Sequence, residues 1–135
     1  VLAPHGKTTM APELFRRQLA AGAWGITVAN MAQAEVAFGA GAKRVLVANE
    51  VVSRPDAFAI AEALGASPER ELYCLVDSVA GVRLLDEALG GAGFEGTLGV
   101  LVEVGSPGSR AGARSEAEAL EVASALAQAK RAHRP

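Results

Sequence analysis

A lysine amine attacks a carbonyl only when it is neutral, and desolvation at the end of a strand is one way to make it so. Of the three lysines in the sequence, Lys43 and Lys130 lie in polar contexts, whereas Lys7 follows Pro4-His5-Gly6 and precedes Thr8-Thr9. That setting makes Lys7 a candidate for covalent capture of a carbonyl group, with His5 beside it as a possible orienting or packing partner. On residue type alone, a solvated loop lysine remains the simpler reading. Further polar groups recur at wide intervals behind apolar runs: Asn30, Asn49-Glu50, Asp77-Ser78, Glu103 and Arg110. Asn, Asp and Ser also cap helices and form turns, so Asn30, Asp77 and Ser78 have that ordinary role open to them. Arg110, in a turn rich in Gly and Pro, is by composition alone a surface arginine.

The elements that would position these residues are legible from hydrophobic pattern. Four short apolar runs, Trp24 to Ala29, Arg44 to Asn49, Leu72 to Asp77 and Leu98 to Val104, lack strict alternation, as parallel strands covered on both faces do. Val1 to His5 reads as the end of another strand. Alanine-rich helical patterns fill the gaps, near 12–21, 31–40, 55–64 and 78–89, and a last one begins near Ser115. Pro12 suits a first helical turn, and Gly22, Gly41, Gly65 and Gly90-Gly91 follow helix ends. Strict βα alternation predicts right-handed crossovers and a parallel sheet, either open and doubly wound or an arc of a (β/α)8 barrel. In both, ligands bind at the carboxyl ends of the strands, where the polar groups collect.

The 135 residues suit one domain or a piece of a larger one. A net charge of −2 argues against nucleic acid, and the single cysteine, Cys74, can form neither a disulfide framework nor a thiolate metal cluster. Cys74 reads as a small buried strand residue. No apolar stretch reaches membrane-spanning length, and a cytoplasmic setting is expected.

Pro4-His5-Gly6-Lys7-Thr8 resembles the Arg-Pro-His-x-Lys-Thr-His-Lys motif of the D-threonine aldolase and D-serine dehydratase family, relatives of alanine racemase. Further segments keep the family's order: Gln18 to Ala23, Gly25 to Asn30, Ala34-Glu35-Val36, Val45 to Val52, and Val102-Glu103-Val104 leading to Gly108-Ser109-Arg110-Ala111-Gly112. Ala3 stands where the motif has arginine, and Thr9-Met10 where it has His-Lys. The resemblance implies a pyridoxal 5′-phosphate-binding barrel, with residues 1–135 as part of it, about strands 2 to 6. It implies Lys7 as the lysine that binds the cofactor covalently and then serves as base, with Arg110 beside the cofactor ring and His5 nearby. It also implies a D-amino acid substrate, a homodimer, and a divalent metal in a C-terminal β-domain outside this chain. No metal ligand set is read within it. The Ala-Pro-His-Gly-Lys-Thr-Thr-Met variant resembles the amino-acid deaminase branch, so β-elimination from D-serine to pyruvate and ammonia is expected. Retro-aldol cleavage of a D-3-hydroxy amino acid and a non-catalytic cofactor carrier are the alternatives.

Overall fold

In the computed structural model, every strand pairs in parallel with the next strand in sequence. The structure describes residues 1–129 and the backbone of Ala132 and His133. The elements run α1 (Pro12–Ala20), β1 (Ile26–Val28), α2 (Met31–Gly39), β2 (Arg44–Glu50), α3 (Arg54–Gly65), β3 (Glu71–Val76), α4 (Val79–Gly91), β4 (Leu98–Val102), α5 (Glu116–Gln128) and β5 (Ala132–His133). The sheet order is β1-β2-β3-β4-β5, and an isolated parallel bridge from His5 to Thr27 adds the preceding chain segment beside β1. The strand expected to end near His5 is thus present as that bridge. The two residues of β5 are not among the strands expected from hydrophobic pattern.

A doubly wound sheet reverses its strand order part-way and carries helices on both faces. Here the order never reverses, and consecutive helices touch one another in one layer, α1 with α2 through to α4 with α5. The chain is therefore an arc of a (β/α)8-type barrel. Alternation along the strands sets the two faces. Ile26, Val28, Val45, Val47, Leu72, Cys74, Val76, Leu98 and Val100 are buried against the helices. The intervening Leu46, Ala48, Tyr73 and Leu75 are only partly covered, and Leu101 is exposed. The expectation of strands covered on both faces therefore holds in β1, where Thr27 is buried as well, and on the helix side alone in β2 and β3.

Helix starts follow local chemistry. Asn30, Ser53, Ser78 and Ser115 each accept a hydrogen bond from the amide three residues on, capping α2, α3, α4 and α5. Pro12 opens α1, and Glu13 in its first turn pairs with Arg16 at 3.1 Å and Arg17 at 3.2 Å. Gly65 and Gly90-Gly91 lie inside the last turns of α3 and α4 rather than beyond them. Ala66 and Ala92 are the C-caps of those helices, because glycine in right-handed conformation can still complete a final turn.

Candidate active site

Lys7 stands at the start of a tight turn built on its own neighbours. The Gly6 amide donates to Thr27 O at 2.7 Å and the Thr27 amide to Pro4 O at 2.9 Å, which aligns the segment with β1. Gly6 faces the helix layer, where an added Cβ would lie 2.6 Å from the Phe15 ring, so no larger residue fits before Lys7. Beyond it the amides of Thr9 (3.2 Å) and Met10 (2.9 Å) both close on Gly6 O. Met10 takes a left-handed φ of 41°, an uncommon conformation for a side-chain-bearing residue and one found at functional turns. His5 Nδ1 accepts the Lys7 amide at 3.3 Å, so His5 shapes the turn. The Lys7 side chain is exposed, and its amine has no hydrogen bond or ion pair among the described residues. The desolvation expected around it is not supplied by this chain, because Lys7 lies beside the outermost strand of an open arc.

Arg110 lies at the other side of the arc, after β4. Its loop folds back on the strand end: Val104 bridges to Ala113, the Gly105 amide donates to Ala113 O at 2.9 Å, and the Ala113 amide to Glu103 O at 2.8 Å. Gly112, with φ of 99°, packs so closely on Gly105 that any Cβ would collide with its backbone nitrogen. From the end of β3, Asp77 Oδ2 accepts the Gly112 amide at 3.1 Å. Arg114 binds the loop from below, through Ser106 O, Ser109 Oγ, Ser109 O and Ala111 O. Arg110 itself is exposed and makes no hydrogen bond among the described residues. Its charge acts on Glu103, while both Nη groups of Arg114 are committed to the loop.

Glu50 and Glu103 come together between these two regions. The register of β2 against β3 jumps from Leu46–Tyr73 to Glu50–Leu75, an irregularity that brings Glu50 level with the helix-free side of β3. Burial holds the Glu103 carboxyl above its usual range, and Glu50 raises it further by charge and hydrogen bonding. Arg110 opposes the shift and Asp77 adds to it. Glu50 Oε1 is buried with no hydrogen-bond partner. Cys74 faces the helices, and burial, with a contribution from Glu50, pushes its thiol up to about 12, so it carries no thiolate at neutral pH.

The structure thus divides the polar groups at the strand ends. Asn30 and Ser78 are caps, while Asp77 braces the Arg110 loop. The Lys7 turn and the Arg110 loop sit at the same end of the sheet on opposite sides of the arc, and no contact joins them among the described residues. Asp77 and Arg114 as braces, and Glu50 as partner of Glu103, were not evident from residue type. Only the Gly-rich spacing of residues 105–112 hinted at a folded loop.

No family model and no curated protein matches the chain. Solved structures do. Over 95% of its length the chain is similar to a D-threonine aldolase from Filomicrobium marinum, at 36% identity and a TM-score of 0.82. The chain thus shares the fold of D-threonine aldolase-type proteins on the alanine racemase-like barrel. It is also similar to a D-threo-3-hydroxyaspartate dehydratase from a Delftia species, at 28% identity over 97% of the chain, with a TM-score of 0.73. A histidine racemase from Leuconostoc mesenteroides subsp. sake, at 18% identity over 97% of the chain and a TM-score of 0.76, shares the fold. The chain spans 33% to 34% of the length of those three proteins. Among the described residues no helix is long and apolar enough to cross a membrane, and no three or more His, Cys, Asp or Glu side chains cluster to hold a metal ion.

Proposed function

We propose that the chain is the cofactor-anchoring part of a pyridoxal-phosphate-dependent lyase acting on D-amino acids, with Lys7 as the anchor. The observation that carries this reading is an unpaired lysine amine on a tight, locally braced turn at the carboxyl end of a parallel barrel strand. The donor set suits the cofactor: an amine for its aldehyde and a guanidinium without a hydrogen bond among the described residues, Arg110, for its phenolic oxygen. When bound, pyridoxal phosphate supplies an electron sink for the bond broken at the substrate α-carbon. Lys7 would hold the cofactor, and its amine, when free, would take the α-proton. His5 keeps the turn in shape through its bond to the Lys7 amide.

The first reading of the reaction is β-elimination from D-serine, giving pyruvate and ammonia. The 36% identity to an aldolase favours retro-aldol cleavage of a D-3-hydroxy amino acid as the second. The test uses the whole protein. Pyridoxal phosphate should produce a visible absorbance band that Lys7→Ala abolishes, and D-serine should yield pyruvate. A band that survives in the alanine variant refutes Lys7 as anchor. A band without pyruvate, but with aldehyde released from D-threonine, moves the assignment to the aldolase. A band with neither product leaves a non-catalytic carrier.

A further inference from the structure

Two arginines four residues apart, Arg110 and Arg114, have opposite fates in one loop. Arg114 turns both Nη groups onto the protein. Nη1 donates to Ser106 O at 3.2 Å, to Ala111 O at 2.7 Å and to Ser109 Oγ, and Nη2 donates to Ser109 O at 2.8 Å. All four acceptors belong to residues 106–111, the segment that carries Arg110. Ser109 Oγ extends the network by donating to Ser106 O at 2.7 Å. The Arg114 amide is held in turn by Glu118 Oε2 at 2.6 Å, in the first turn of α5, where Ser115 is the cap. Three carbonyl oxygens therefore converge on one cation, and without it their dipoles would repel. Gly108 lies within the segment and Gly105 and Gly112 flank it, so the chain there has little rigidity of its own. Asp77 pins only the far end, at Gly112.

We propose that Arg114 is a positioning residue for Arg110: it fixes the loop so that the Arg110 guanidinium, which bonds nothing itself, points at one place on the barrel face. A lysine could not substitute, because a single ammonium cannot span the four acceptors that the planar fork reaches. This inference rests on the reading of Arg110 as a cofactor contact, and concerns how that contact is held in place.

The test compares Arg110→Ala, Arg114→Ala, Arg114→Lys and the double variant Arg110→Ala/Arg114→Ala in the whole protein. Pyridoxal phosphate is titrated by absorbance, the pH profile of the visible band is recorded, and melting is followed. Arg110→Ala should weaken cofactor binding about ten- to a hundredfold, as loss of a charge-assisted hydrogen bond does. Arg114→Ala should weaken it about tenfold and move the band's pH profile in the same direction. Arg114→Lys should fall between that variant and the wild type, and it serves as the probe if the alanine variant fails to fold. In the Arg110→Ala background, removing Arg114 should change binding by less than about twofold, since its effect acts through Arg110. If Arg114 variants lower the melting temperature while affinity and pH profile stay within about twofold of wild type, Arg114 only stabilises the fold and the proposal is overturned. Losses that multiply in the double variant overturn it as well. A wild-type protein that gives no cofactor band at all refutes the underlying reading instead, before any Arg114 variant is compared.

Discussion

The two ends of the same strands are built on opposite electrostatic plans. At the amino end, Arg44 Nε meets Glu71 Oε1 at 3.0 Å and the Tyr73 hydroxyl donates to Glu71 Oε2 at 2.6 Å, so both carboxylate oxygens are used. Trp24 packs against Tyr73 with ring centroids 5.2 Å apart, and the Arg44 guanidinium lies 5.4 Å from the Trp24 ring centroid. The hydrogen bond from Tyr73, followed by that from Arg44, holds the Glu71 carboxyl below its usual range. At the carboxyl end, Glu103 is held above its usual range, Glu50 Oε1 has no hydrogen-bond partner, and neither Lys7 nor Arg110 makes a hydrogen bond among the described residues. One end spends its charges on itself and the other leaves them available. In parallel barrels that asymmetry separates stability from chemistry, and it marks the carboxyl end as the candidate ligand end.

The contrast can be broken most sharply at Phe15, fully buried and packed against Gly6 beneath the Lys7 turn. Phe15→Ala should cost about 3–5 kcal/mol in denaturant unfolding and disturb the cofactor band through the turn. Lys7→Ala, at an exposed side chain, should abolish the band yet change stability by no more than about 0.5 kcal/mol. If both variants lose stability alike, the Lys7 turn belongs to the core rather than to the site.

At the other end, Tyr73→Phe should cost about 1 kcal/mol, the net worth of one hydrogen bond, and leave cofactor binding unchanged. Ser78→Ala should cost a similar amount, about 1 kcal/mol, through loss of the α4 cap. Because Ser78 stands at the ligand end, unchanged cofactor affinity in that variant would separate caps from site residues. A clear loss of affinity would make Ser78 part of the site.

The smallest effect is a pH dependence of opposite sign at the two ends. The folded protein holds the Glu103 proton more tightly than the unfolded chain does. Stability from this group therefore falls as pH rises from the ordinary glutamate value through the higher folded one. Glu71 behaves in reverse: its contribution is present above the ordinary value and is lost as pH falls through the lower folded one. Melting curves between about pH 3 and 7 should show Glu103→Gln gaining on wild type as pH rises, and Glu71→Gln losing. Parallel curves for the two variants would erase the contrast.

Much of this was readable in the residues. The helix of residues 31–39 starts and ends within a residue of expectation because Asn30 caps it and Gly41 follows it. The alternation of apolar runs with alanine-rich segments sufficed for a parallel sheet. Sequence pattern could not choose between a doubly wound sheet and a barrel arc, since both are built from the same βα unit and differ only in which neighbour each strand selects. Lys7 was recognisable by its motif, whereas its exposure was not, because that depends on what the open side of the arc faces.

By itself the sequence determined the elements, the end of the sheet at which polar groups collect, and the family to which its segments are similar. These follow from local chemistry: caps, periodicity and the spacing of short motifs. Tertiary structure alone decided that the strands pair in sequential order and that Asp77 reaches across to Gly112. It also decided that Glu50 meets Glu103, and that Arg114 is consumed by the loop while Arg110 remains free. Each of these depends on residues brought together across strands or through a folded loop, and two arginines in one short segment cannot be told apart until the carbonyls around them are placed.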